Sequence, residues 1–100
     1  MLETFTIETF QPHVGEIFHI VVDEAGTRLP TKLTEVFPWG EGAAAGRDRH
    51  PFSLIFHTVP QAVYEQKIYR VENESMEPFE IFLSPIGPDE HGMRYEAVFT

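Results

Sequence analysis

The sequence contains no cysteine, which removes disulfides, thiolate zinc sites, iron–sulfur clusters and cysteine nucleophiles together. A fold built from it must hold by packing alone. Positive charge is also scarce: 7 Lys and Arg stand against 16 Asp and Glu, giving a net charge of −9, with the acids spread evenly along the chain. That balance repels phosphate backbones, and the one basic cluster is Arg47-Asp48-Arg49, so nucleic acid and anionic membrane surfaces are not expected partners. Solubility is sufficient reason for the acidity. Apolar runs stay short, as in Ile20–Val22 and Leu54–Phe56, far below the roughly 20 residues that span a bilayer. The start, Met1-Leu2-Glu3-Thr4-Phe5, lacks a basic stretch followed by an apolar one; no secretory signal is read there, and a cytoplasmic location is expected.

Bulky apolar mass, in contrast, is abundant. In 100 residues, 42% are hydrophobic, with nine Phe, three Tyr and one Trp against 23% charged, enough to offset the entropy of ordering one domain spanning residues 1–100. Thr9-Phe10-Gln11-Pro12-His13-Val14-Gly15 predicts one helical turn, with Thr9 as cap, Phe10 and Val14 on one face and Gly15 as the stop. Upstream, Phe5 and Ile7 alternate with polar residues as a short strand or extended arm would. Ile17–Asp23 reads as a strand with Phe18, Ile20 and Val22 inward, and Asp23-Glu24-Ala25-Gly26 as its hairpin turn. In the returning Thr27–Val36 segment, Leu29 and Leu33 share a face but Val36 falls on the other. That slip predicts a bulge, or an edge position at Pro30.

Residues 38–51 are rich in Gly, Ala and Pro and break every period, which predicts a flexible loop. Phe52, Leu54 and Phe56 then alternate with Ser53, Ile55 and His57 in the clearest strand. Thr58–Glu65 connects it to a strand over Lys67–Glu72, a turn at Asn73–Pro78, and a strand with Phe79, Ile81 and Leu83 inward. Pro85–Gly92 reads as a turn-rich loop, and Arg94–Phe99 as a last strand with Tyr95, Ala97 and Phe99 inward. About six strands with short connections and no long amphipathic helix predict an all-β antiparallel barrel or sandwich with one helical turn.

Thr9–Phe18, Pro51–Phe56, Ile68–Glu72, Glu80–Gly87 and above all the ending Gly92-Met93-Arg94-Tyr95-Glu96-Ala97-Val98-Phe99 resemble a family of short bacterial β-rich proteins of unassigned function. The resemblance covers most of the chain except Trp39–His50. It implies no activity and no catalytic residues. It does imply a partner class, because members of that family look like companions of phage-tail-collar-like proteins.

The candidate chemistry is thin. Five histidines, His13, His19, His50, His57 and His91, form no His-x-His or His-x-x-x-His pair. His19 and His57 lie on the less apolar faces of two strong strands and would face each other if those strands paired, making His19, His57 and His91 the candidate metal ligands. Asp89-Glu90-His91 lacks the alternating oxygen ligands of a calcium loop and reads as a solvated turn. Ser53, Ser75 and Ser84 lie in no nucleophile elbow. A pair of acids acting as a hydrolase has little room for a cleft in so small a chain. Arg70/Glu72 and Arg94/Glu96 would form cross-strand ion pairs if their strands were neighbours. Trp39, beside Phe37 at the base of the loop, suits a partner anchor or a lid over an open sheet end. No cofactor is expected. The resulting expectation is a non-enzymatic structural or protein-interaction module, an accessory of a phage-tail-like or collar-type assembly that makes contact through Trp39–His50 or a strand edge. The alternative is a small-molecule- or sugar-binding barrel or a weak metal-dependent enzyme.

Overall fold

The computed structural model describes residues 5–39 and 51–100. It opens with a short helix, α1 (Ile7–Phe10), continued by a 3₁₀ turn over Gln11–His13. The helix starts earlier than the sequence suggests because Thr6, not Thr9, is its cap: the Thr6 N–H donates to the Thr9 hydroxyl at 2.9 Å. Ile7 is therefore helical rather than extended, and Val14, past the end of the turn, is exposed while Phe10 is buried.

Among the described residues six strands follow: β1 (Ile17–Val21), β2 (Arg28–Pro38), β3 (Phe52–Thr58), β4 (Lys67–Asn73), β5 (Met76–Asp89) and β6 (Gly92–Phe99). Every pairing is antiparallel, and the order β1-β2-β3-β6-β5-β4 closes on itself because β1 also pairs with β4, as in His19 opposite Glu72. Of the two expected architectures the molecule is the barrel. Period-two alternation puts Phe18, Ile20, Leu33, Leu54, Phe56, Val71, Ile81, Leu83, Tyr95 and Ala97 inside, all of them buried. A barrel this small is filled by its own side chains.

One end of the barrel is closed by aromatic rings. Phe10 projects from α1 to within 5.9 Å of Phe79, 5.6 Å of Phe99 and 6.1 Å of Phe52, centroid to centroid. Phe52 and Phe99 stack in parallel at 4.5 Å, and Phe5 meets Phe79 edge-on at 5.3 Å.

Three expectations about strands and their connections are corrected. The first concerns β5, which runs on through Pro85-Ile86-Gly87-Pro88 where a loop was expected. Its first half pairs with β4 and its second half, from Ser84, pairs only with β6. The prolines thus occupy a stretch with one hydrogen-bonded neighbour, where a missing N–H is tolerated. Gly87, at φ +93°, absorbs the register shift that falls between Pro85 and Gly87, where Ile86 is the extra residue, and Arg94 donates to the Gly87 carbonyl at 3.2 Å. The second concerns the Arg-x-Glu motifs: β4 and β6 are separated by β5. Glu72 instead joins Arg70 on its own strand at 3.1 Å and Arg28 at 2.8 Å. The third concerns the turn over Asn73–Pro78, which is shorter than expected because β5 already begins at Met76.

Both explanations for the slip in β2 hold. The register shifts between Leu33 and Glu35, leaving Thr34 as the extra residue, and β2 pairs with β3 only from Lys32 onward, so Pro30 has a neighbour on one side alone. Most of the expected loop near 38–51, including Glu41–His50, lies outside the described residues. At its base, Pro38 ends β2 and the Trp39 N–H donates to the Pro51 carbonyl at 2.8 Å.

Candidate functional site

The outer surface of β3 carries chemistry at both ends. Near its C-terminal end, His57 points outward between the β2 bulge and the tip of the β5–β6 hairpin. The bulge turns Thr34 toward it, and the Thr34 hydroxyl lies 2.7 Å from His57 Nδ1. On the ring's other side, His57 Nε2 lies 2.9 Å from Asp89 Oδ2.

Asp89 reaches that position because the hairpin tip sits hard against the end of β3. Gly92, at φ +129°, allows the approach: a Cβ there would lie 2.1 Å from the Thr58 carbonyl oxygen. The second carboxylate oxygen of Asp89 accepts the His91 backbone N–H at 2.8 Å, and Arg94 stands 3.9 Å away. Hydrogen bonds from His57, then from His91, hold the Asp89 carboxyl below the usual aspartate range. An ionised Asp89 only accepts, so His57 Nε2 donates, and in the neutral ring Nδ1 must accept. The Thr34 hydroxyl is placed to donate to it. The same hydroxyl is 3.2 Å from the Ile55 carbonyl, the partner it takes when the ring carries both protons.

These groups border an open recess of about 660 Å³ whose rim includes Lys32, Val59, Pro60 and His91. His91 faces His57 with ring centroids 6.3 Å apart. His19 is not with them. β1 and β3 are separated by β2, so the expected His19/His57 pairing does not form, and His19 instead borders a recess with Arg28, Glu72 and Asn73. Among the described residues, no three His, Asp or Glu side chains gather as metal ligands would. His13 is tied to Glu16 at 2.8 Å, and that bond, followed by one from Asn73, lowers the Glu16 carboxyl.

At the other end of β3, Ser53 faces outward yet is fully buried, because Trp39 lies over it and donates its indole N–H to the Ser53 hydroxyl at 2.6 Å. Trp39 itself remains 48% exposed, and Phe37 beside it is half-buried. Trp39 thus covers the outer face of β3 at Ser53, not an open end of the sheet, and still presents an exposed surface. A separate apolar patch lies on β4, β5 and β6, where Ile68 stands opposite Phe82 and Val98 shares their groove.

His57 and His91 stand out in the sequence, whereas Thr34 and the role of Asp89 do not. The broken alternation between Leu33 and Val36 was the available signal for Thr34; nothing local announces a contact between residues 57 and 89. Among the described residues, no helix is long and apolar enough to cross a membrane. No curated protein and no solved structure matches the chain. A family model does match, over residues 5–99, and by that coverage the chain belongs to DUF6916, a domain of unknown function.

Proposed function

We propose that the chain is a structural or protein-interaction module that takes hold of a protein partner through the rim formed by Trp39 and Phe37. The observation that carries this reading is Trp39, whose indole is fixed by Ser53 while about half of its surface faces solvent. Binding through a side chain that is already ordered loses little rotamer entropy, and tryptophan is among the residues that concentrate affinity at interfaces. The exposed Ile68, Phe82 and Val98 add apolar surface of the kind that marks contact sites. With a net charge of −9, the module favours a partner surface of the opposite sign. The resemblance noted above supplies the finer class, an accessory of a tail-like or collar-type assembly.

The test is affinity capture from the native host with the wild-type chain and with Trp39→Ala, checking by circular dichroism that both are folded. Recovery of a tail or collar component by the wild type alone supports the proposal in full. Equal recovery by Trp39→Ala removes the rim from it. A partner unrelated to any such assembly removes the accessory role and leaves the interaction reading in place.

A further inference from the structure

The recess beside His57 stands apart from the Trp39 rim, at the opposite end of β3, and its groups have no part in that binding reading. A hydroxyl, an imidazole and a carboxylate are joined in series there: Thr34 Oγ1 to His57 Nδ1 at 2.7 Å, and His57 Nε2 to Asp89 Oδ2 at 2.9 Å. In this order a base contacts a potential nucleophile and is oriented by a third group, the relation that activates a hydroxyl for acyl transfer. The serines of the sequence lie in no nucleophile elbow. The structure supplies a threonine on a bulge.

We propose that this recess hydrolyses small acyl esters, with Thr34 as nucleophile, His57 as general base and Asp89 as the positioning residue. Thr34 Oγ1 bonds to the acyl carbon as its proton passes to His57 Nδ1. The ester C–O bond breaks, and the departing alkoxide takes that proton and leaves as an alcohol. Water then attacks acyl-Thr34, giving a proton to Nδ1; the Thr34–acyl bond breaks, the acid is released and the proton returns to the Thr34 oxygen. No oxidant, reductant or further reactant is needed.

The surroundings suit this class of substrate. Lys32 brings a positive charge to the recess for the oxyanion that develops on the carbonyl, while Pro30, Val59 and Pro60 give an apolar wall for a short acyl chain. Asp89 accepts from Nε2 at 2.9 Å and so holds the ring with Nδ1 turned toward Thr34. The recess is open, which fits a small ester better than a substrate that must be enclosed.

The experiment uses the full chain with p-nitrophenyl acetate, following nitrophenolate release and locating any acetyl group by peptide mass spectrometry. The expected result is turnover above that of an equal concentration of free imidazole, with acetyl on Thr34. His57→Gln lowers kcat/KM by about 10²-fold or more, the usual scale for general-base loss. Asp89→Asn lowers kcat with little change in KM, and Thr34→Ser, whose hydroxyl is less crowded, retains activity. Thermal melts of each variant check folding. Turnover no greater than free imidazole overturns the proposal, and so does a folded Thr34→Ala variant that hydrolyses at the wild-type rate, since a surface histidine would then be acting alone. Trp39→Ala is expected to leave hydrolysis unchanged, so failure here and failure of the interaction reading are separable.

Discussion

The two ends of β3 lie six residues apart, Phe52 to Thr58, yet they are built on different physics. At Phe52 the strand meets rings: Phe10, Phe79 and Phe99 close the barrel, and what they contribute comes from apolar area and dispersion, which have no preferred direction. At His57 and Thr58 the contacts are directional, running through Thr34, Pro30 and Asp89. The aromatic end tolerates approximate shapes as long as volume is kept. The polar end depends on a bulge, a glycine and a hairpin register each being right. The first holds the molecule shut; the second leaves reactive groups at an open surface.

Substitutions sharpen the contrast, beginning with the largest effect. Phe10→Ala empties the centre of the aromatic closure and is expected to cost about 3–5 kcal/mol in urea unfolding; a loss under about 1 kcal/mol would show that the rings do not close the barrel. Gly92→Ala places a Cβ against the Thr58 carbonyl at a left-handed backbone position, and strain of that kind costs on the order of 1–3 kcal/mol. It is also expected to part Asp89 from His57, a change visible in the imidazole nitrogen resonances. Unchanged resonances would mean that the hairpin tip does not set their distance.

Ser53→Ala leaves the Trp39 N–H without its acceptor at a cost of about 0.5–1.5 kcal/mol, with a red-shifted tryptophan emission as the readout; an unshifted emission would mean that Ser53 does not hold the ring. The smallest effect is acid sensitivity. Because the folded Asp89 pKa lies below its ordinary value of 3.8, its pairing stabilises the fold above that pH and the benefit is lost as pH falls through the folded value. Asp89→Asn should flatten that part of the melting-temperature profile. If the variant follows the wild-type profile, the pairing carries no weight in acid.

Much of this architecture was legible in the sequence because strands buried on one face alternate. Phe18/Ile20/Val22, Phe79/Ile81/Leu83 and Tyr95/Ala97/Phe99 could be assigned inward from period two alone, and all nine are buried. The course of β5 past Ser84 could not, because Pro85, Gly87 and Pro88 carry the local marks of a turn and only the change of neighbour from β4 to β6 makes them compatible with a strand. Ser53 and Ile55 share the less apolar face of β3 with His57 yet are buried, and Trp39, which covers Ser53, is 14 positions away. The polar chain was the least legible part. His57 finds Thr34 at a separation of 23 residues and Asp89 at 32, and such meetings are decided by register rather than by any local pattern.

The place of β6 between β3 and β5 has a consequence for the order in which the protein can be made. The β1–β2 and β4–β5 hairpins form from neighbouring segments, but β3 has no second neighbour until Gly92–Phe99 has been synthesised, and β1 must wait for β4. Closure therefore follows synthesis of the last strand rather than accompanying it. The half-made chain presents β3, rich in apolar residues on both faces, with one ladder unsatisfied, and that edge stays open to pairing with another chain until β6 covers it.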